Sequence, residues 1–493
     1  MTAPTEHQTY HGTVDSRGAK ETEVANSLIV IRAIRGSPVS PPHYNSHMAD
    51  HFDLVVVGTG AAASSVAYPC REAGWSVAVI DDRPFGGTCA NRGCDPKKVL
   101  VGAGDVTDWA RHMSTRGVES DRLRIDWPEL MRFKHSFTDP VPADRERAFE
   151  NAGIHAFQGI ARFTGPDAID VNGAALTASH FAIAAGAAPA PLGIPGEDLL
   201  CNSDQFLELE QLPESLIFAG GGYIAFEFAH LAARAGARVT ILHRGKRPLE
   251  AFEADLVEKL VGHSRKVGID VHVNTTVQKI ERAGKGIRVG TSAGTFEAAA
   301  AIHAAGRKPK LDALNLAAAG IDRTERGVKV NEFLQSPSNP RVYAAGDAAA
   351  SGPPLTPVAG YEGRIVAANL LQGNRERPNY EGVASTVFSL PPLASCGLTE
   401  ETARARGLAF DVHSADTSGW YSSRRIAEPC SGYKVLIERG TGRILGAHIL
   451  GTGAEEHINV FALAIRHSLT AEQIKAPLYA YPTHGSNTQY MVQ

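Results

Sequence analysis

One pattern, written twice, limits the fold of this 493-residue chain more than any other feature. FDLVVVG (52–58) is a short apolar strand, GTGAAASS a glycine turn opening a helix, and WSVAVIDD (75–82) a second strand. LIFAGGG (216–222), YIAFEFAHLAARAG and ARVTILHR repeat it. Such a turn frees backbone N–H groups at a helix N-terminus, where a dinucleotide pyrophosphate sits. Two copies predict an α/β chain with two dinucleotide-binding domains, and the length is too great for a single core.

In the first copy Gly58, Gly60 and Ala63 hold the fingerprint places, and Asp81 ends the next strand where a ribose hydroxyl would be bound. Pro69 falls inside the helix and is expected to kink or shorten it. In the second copy Gly220 and Gly222 lead into Tyr223 and Ile224, but the following strand ends in His243-Arg244, then Lys246 and Arg247, rather than in an acid. A carboxylate there would repel a 2′-phosphate, whereas a guanidinium holds it through paired hydrogen bonds, so NADPH is expected over NADH. A third strand, RVYAAGDAAA (341–350), ends in Gly346-Asp347 and can offer a carboxylate to the ribityl chain of a flavin. Beyond about residue 379, YKVLIERGTGRILGAHIL predicts a hairpin around Thr441-Gly442, followed by helical runs, as in an α+β domain with an antiparallel sheet.

A formal net charge of −4 gives no electrostatic reason to expect nucleic acid or anionic membrane as a partner. No apolar run approaches the roughly 20 residues of a membrane helix. Of six cysteines, four stand alone in sequence, so the chain reads as cytoplasmic rather than as a secreted disulfide scaffold. Residues 1–48, rich in Pro, Ser and His, read as a disordered leader. The remaining pair lies in GGTCANRGCDPKK (86–98), and on those residues alone it could cross-link, hold a metal or pass electrons.

Together these segments resemble the class I pyridine nucleotide-disulfide oxidoreductases of the glutathione reductase, lipoamide dehydrogenase and mercuric reductase type, from about residue 52 to 491. The cysteine stretch matches GGTCxNxGCxPxK at every defined place. IAAGAAP (183–189), HAAGRKP (303–309), LTPVA (355–359) and GLTEETARARG (397–407) match further family segments. The resemblance implies an FAD-binding domain (50–195 and 307–378), an NAD(P)-binding domain inserted in it (196–306) and a C-terminal α+β dimerisation domain (379–493), hence a homodimer. It implies FAD contacts at Gly58, Gly60, Ala63, Asp81, Gly87, Thr88, Gly186, Gly346 and Asp347. NADPH contacts are implied at Gly220, Gly222, Tyr223, Ile224, His243, Arg244, Arg247, Gly306 and Arg307.

The resemblance also makes Cys89 and Cys94 a redox-active disulfide. Bridged cysteines need Cα atoms about 4.4–6.8 Å apart, so five positions of separation demand a distorted helix start, where the thiolate is stabilised by the helix end. No second Cys or His pair has zinc spacing, and no metal site is expected. By the implied mechanism NADPH reduces the flavin, the flavin passes two electrons to Cys94, and Cys89 exchanges with the acceptor. Lys97 matches the lysine near the reactive flavin nitrogen, Glu227 its ion-pair partner, and Tyr223 the aromatic over the nicotinamide pocket.

The C-terminus departs from the pattern. Where disulfide reductases carry His-Pro-Thr and then a Glu, this chain has YAYPTHGSN, with Tyr481 at the His place and Ser486 at the Glu place. A phenol is a poor general base at neutral pH. His484 stands three positions along and is a candidate substitute. The glutathione-holding arginines of the first helix are replaced by Tyr68 and Pro69, and QYMVQ ends the chain without the cysteine pair of mercuric reductases. The expectation is an FAD-dependent NAD(P)H oxidoreductase working through Cys89 and Cys94 on a metal ion, quinone or small disulfide. It is mercuric reductase-like in lacking the usual His. A low-molecular-weight disulfide reductase and a slowly turning flavin redox sensor are the alternatives.

Overall fold

A computed structural model of the chain describes residues 50–493; the expected leader lies outside them. The first glycine unit builds a sheet ordered His155–Gln158, Val77–Asp81, Asp50–Val57, Ala174–Ile183, with all neighbours parallel. Ala168–Val171 and Ala161–Gly165 extend it antiparallel, and Val342–Ala344 lies parallel to Ala174–Ile183 on a branch. Because side chains alternate along a strand, an unbroken apolar run must be covered on both faces. Leu54, Val56, Val77 and Val79 pack on one face with Ala63, Val66 and Ala67 of the helix Ala61–Glu72. Val55, Val57, Ala78 and Ile80 pack on the other with Phe163, Ile169 and Phe181.

That helix runs through Pro69 to Glu72, so the shortening expected at Pro69 does not occur. Proline removes one N–H, but the buried Ala67 and Cys70 on either side hold the helix to the sheet. Arg71 then ties its end down, with Nε donating to the Ala152 carbonyl at 3.1 Å.

The second unit forms a parallel sheet ordered Ile269–His272, Arg238–Leu242, Ser215–Ala219, Ala300–His303. The helix Tyr223–Arg234 covers it, and the antiparallel strands Val277–Ala283, Gly286–Thr291 and Gly294–Ala298 stand beside it. The two glycine turns share one device. Gly58 and Gly220 have φ of +114° and +126°, and a Cβ on either would stand 2.2 Å from the Ala184 oxygen or 2.1 Å from the Ala304 oxygen. Only glycine lets the turn pass so close to the neighbouring strand's end.

The C-terminal part is an antiparallel five-stranded sheet ordered Ala384–Val387, Leu393–Gly397, Ile444–Leu450, Gly432–Glu438, Phe410–Asp416. The expected hairpin joins Gly432–Glu438 to Ile444–Leu450, and the helix Ala454–Arg466 packs its buried face on the sheet. No helix among the described residues is long and apolar enough to cross a membrane.

Three parts of the chain meet at one buried clamp. Arg234, at the end of the second glycine helix, donates through Nε to Asp108 Oδ1 at 2.9 Å on the cysteine-bearing helix Cys94–His112. Its Nη2 donates to the Leu390 carbonyl at 3.0 Å in the C-terminal part. His230 Nδ1 accepts from the Leu390 N–H at 3.2 Å. A fully buried guanidinium with its donors engaged locks these elements in one register.

Candidate redox site

The cysteines stand on two helices, not on one distorted helix start. Gly86 (φ +107°) turns the chain into the short helix Gly87–Arg92. Gly93 (φ −142°, ψ −119°) breaks it, and Cys94 opens the long helix Cys94–His112. A Cβ on Gly93 would stand 2.9 Å from the Thr88 carbonyl oxygen, so the break requires glycine. All six cysteines are free thiols, so the bond expected between Cys89 and Cys94 is not formed in this structure.

The two thiols are in hydrogen-bond contact, and Cys94 Sγ lies 3.5 Å from Thr356 Oγ1, at the start of the helix Thr356–Gln372. The Cys89 sulfur also lies 3.5 Å from Asp95 Oδ1, a competing acceptor for its single proton. The hydrogen bond from Cys89 pulls the Cys94 thiol down to about 6, helped by Thr356 and the Lys97 charge and opposed by burial. The same contact, with burial, pushes Cys89 up. At neutral pH the pair therefore carries one thiolate, on Cys94. In the reduced protein, alkylation of Cys94 is expected to rise through a midpoint near 6, and that of Cys89 only above the usual thiol range of about 8.5. Peptide mass spectrometry after pulsed iodoacetamide labelling reads both midpoints, and coincident curves would contradict the assignment.

Behind the thiols Lys97 Nζ meets Glu227 Oε1 at 2.8 Å, each side chain 9% exposed. The same Glu227 oxygen accepts from the Phe388 N–H at 3.0 Å. Lys97 and Lys98 lie 4.0 Å and 4.4 Å from the centroid of the Phe388 ring. Lys97 and Glu227 are thus brought together as the sequence predicts. Thr356, Phe388 and Asp95 escaped that reading. Thr356 lies in a matched segment without chemistry of its own, Phe388 comes from a distant part of the chain, and Asp95 occupies an undefined place of the cysteine motif.

Asp81 does end its strand, but its carboxylate accepts from the Thr59 N–H (3.1 Å) and hydroxyl (2.6 Å) and from the Arg83 N–H (3.0 Å). Burial pushes Asp81 up. Thr59 Oγ1 accepts from the Gly86 N–H at 3.1 Å, and a Cβ on Gly87 would stand 2.4 Å from Gly60 Cα, so the two glycine loops are packed on each other. Ala63 is buried on the helix behind them. Gly346 (φ +66°) follows the strand Val342–Ala344 and donates its N–H to the buried Glu362 at 2.7 Å. Asp347, the next residue, receives no hydrogen bond from another residue among those described, and burial pushes its carboxyl up. Glycine-freed loops, a strand-end carboxylate and an unpartnered, largely buried Asp347 are what a flavin dinucleotide requires of its cradle, so the residues fit FAD.

On the second unit Gly222 opens the helix with nothing within 4 Å of an added Cβ, and Ile224 packs on the adjoining core. Tyr223 stacks edge-on to Phe252 at 5.4 Å between ring centroids, and burial raises its phenol. His243 differs from expectation: its ring lies over Gly221 and its Nε2 pairs with the Arg247 carbonyl at 2.9 Å, so it braces the turn. Arg247 turns toward Glu250 and Glu401. Arg244 and Lys246 are exposed, with no hydrogen bond or ion pair among the described residues, and are the basic groups of the turn left open to a phosphate. Gly186 and Gly306 have open space beside them. Arg307 lies on the flavin side, its Nη2 donating to the Ala187 carbonyl at 2.6 Å and its charge acting on Asp347.

The C-terminal residues separate. Tyr481 is 76% exposed. His484 packs its ring against Gly453, and its buried Nε2 has no hydrogen-bond partner. Burial and Arg425 pull its imidazole down. Ser486 donates to the Thr483 carbonyl at 2.7 Å and closes a local turn. Among the described residues Ser486 makes no hydrogen bond to the Tyr481 or His484 side chain.

A pyridine nucleotide-disulphide oxidoreductase family model matches residues 52–363, and the dimerisation-domain model of the same family matches 383–492. The mercuric reductase of Staphylococcus aureus is 32% identical over 461 residues, covering 91% of this chain and 84% of that protein. The glutathione reductase of Burkholderia cepacia is 32% identical over 434 residues, 88% of this chain and 96% of that protein. Among solved structures, the Cu(II) complex of the HOCl-induced flavoprotein disulfide reductase RclA from Escherichia coli superposes with a TM-score of 0.82 at 25% identity, covering 90% of this chain and 99% of that one.

Proposed function

This chain belongs to the pyridine nucleotide-disulphide oxidoreductases, a flavoprotein family using FAD, and we propose that it is an NADPH-dependent reductase working through Cys89 and Cys94 on a small acceptor. The acceptor is a metal ion, a quinone or a small disulfide. One observation carries the reading: a dithiol with a single low-pKa member lies beside a buried Lys97–Glu227 pair, while the acid–base histidine of disulfide reductases is replaced by Tyr481. FAD held by the first glycine turn, Asp81 and Asp347 would supply the two-electron relay between a reduced nicotinamide and the cysteine pair.

The chain's own residues do the rest. Lys97, held by Glu227, presents a cation beside the Cys94 thiolate and stabilises its charge. Thr356 and Cys89 donate hydrogen bonds to that thiolate, and Cys89 is the thiol that meets the acceptor. Arg244 favours a 2′-phosphate and hence NADPH. The chain works as a homodimer in which Tyr481 of each subunit closes the partner's cysteine pocket, and its cysteine usage suits the reducing cytoplasm.

An acceptor panel under anaerobic NADPH tests this, with glutathione disulfide, lipoamide, mercuric and cupric ions and quinones offered to wild type and Tyr481→His. The substitution is expected to raise disulfide turnover at least about tenfold by restoring a neutral-pH acid–base group, and to leave quinone and metal reduction within about twofold. Equal gains on all acceptors would refute the role given to Tyr481. Rapid turnover of glutathione disulfide by wild type would favour the low-molecular-weight disulfide reductase.

A further inference from the structure

We propose that Asp95 makes the acceptor site selective for positively charged acceptors: Asp95 Oδ1 stands 3.5 Å from the sulfur of Cys89, the thiol that meets the acceptor. The inference rests on the electron route through Cys89 and Cys94 proposed above. Asp95 and Cys94 are both exposed, and Cys89 is half-buried between them. The Asp95 charge is felt at Cys89, where it opposes formation of a second anion. Any acceptor atom that approaches Cys89 therefore approaches a carboxylate as well.

Two lysines of the same helix face other carboxylates. Lys97 pairs with Glu227 at 2.8 Å and acts on Cys94, and Lys98 lies 3.6 Å from Glu455. Coulomb attraction over about 5 Å, in a medium between protein surface and water, changes encounter and binding by about tenfold per unit charge.

With an amine-bearing disulfide the chemistry balances without a further co-reactant. The Cys89 sulfur forms a bond to one acceptor sulfur as the acceptor S–S bond breaks, and the departing thiolate carries away the electron pair and takes up the Cys89 proton. Cys94 then displaces the second thiolate from Cys89, which solvent protonates, and a Cys89–Cys94 bond closes. The acceptor gains two electrons and the dithiol loses two. With cupric ion, two ions each take one electron from the same dithiol, and the thiol proton goes to solvent.

The test uses the FAD-loaded full chain and reads kcat/KM for cystamine, hydroxyethyl disulfide, dithiodipropionate and cupric ion in wild type, Asp95→Asn and Asp95→Glu. Thiols gained on reduction by NADPH are counted in parallel. Wild type is expected to prefer cystamine to dithiodipropionate, and Asp95→Asn to lower that ratio at least about tenfold with the thiol count unchanged, while the neutral disulfide reads the change in Cys89 reactivity common to all disulfides. Asp95→Glu should keep the preference. A ratio indifferent to Asp95→Asn overturns the proposal, and so does a loss confined to cupric ion, which would mark coordination rather than charge. Should Asp95→Asn fail to fold, the salt dependence of wild type decides: kcat/KM must fall with ionic strength for cystamine and rise for dithiodipropionate, and slopes of one sign overturn the selectivity. If wild type gains no thiols from NADPH, the electron route itself fails; if it gains them and the charge ratio is flat, only the role of Asp95 fails.

Discussion

Cys94→Ser is expected to lower electron transfer from NADPH to every acceptor by at least about 10³-fold, while flavin content and thermal midpoint stay close to wild type. The expectation follows from the asymmetry of the pair. Cys94 is the thiol drawn down to about 6, and it receives hydrogen bonds from Cys89 and Thr356. A serine hydroxyl in its place neither ionises near neutrality nor forms a bond to Cys89 sulfur. The fold has little reason to respond, because Cys94 is exposed and Ser differs by one atom. Cys89→Ser should be equally inactive toward acceptors, yet it keeps Cys94, so the two variants differ in what remains. Its serine hydroxyl can still donate to Cys94, so it is Cys89→Ala, which removes that hydrogen bond, whose Cys94 alkylation midpoint should move upward toward the ordinary thiol value. Stopped-flow NADPH oxidation with each acceptor, together with a thiol count, checks both. Retention of a tenth or more of wild-type turnover by Cys94→Ser with any acceptor would mean that electrons reach that acceptor without the cysteines.

Much of this arrangement was legible because its parts are local. The two glycine turns are read from contiguous strand, turn and helix, and Gly58 and Gly220 sit where a turn must graze a neighbouring carbonyl. Lys97 and Glu227 lie far apart in sequence, but each belongs to a recognisable segment, so their 2.8 Å contact was foreseeable. The misses are places where tertiary packing decides. Pro69 reads as a helix breaker until the buried residues around it are known to hold the helix in place. Gly93 reads as a motif glycine, but only the packing of its Cα against Thr88 shows that it separates two helices. His243 looks like a phosphate ligand from its place at a strand end, whereas its ring is needed over Gly221. His484 looks like a substitute base, whereas it packs into its own subunit against Gly453. Asp95 was hidden for the opposite reason: a motif that defines its neighbours is silent about the residue between Cys94 and Pro96.

Glu227→Ala is expected to destabilise the protein by about 3–5 kcal/mol, the largest stability effect of any single substitution at the site. Three losses coincide there. The Lys97 ammonium, its side chain 9% exposed, loses its only counter-charge within hydrogen-bond distance among the described residues. The Phe388 N–H loses its acceptor, and the ring over Lys97 and Lys98 loses the contact that holds its backbone. The neighbouring clamp of Arg234, Asp108 and Leu390 cannot compensate, because its donors are already engaged. The contribution of charge separates from that of shape in a graded series. Glu227→Gln keeps an acceptor for Phe388 and costs less than the alanine, and Lys97→Met with Glu227→Gln, which buries no charge, should recover most of the remaining loss. The order of thermal midpoints should therefore be wild type, double variant, Glu227→Gln, Glu227→Ala. Turnover should follow another order, because the double variant lacks the cation beside Cys94: it regains stability without activity, and its Cys94 alkylation midpoint lies above that of wild type. A double variant that melts with Glu227→Ala would show that the cost lies in packing rather than in a stranded charge. If it turned over normally, Lys97 would have no part in stabilising the thiolate.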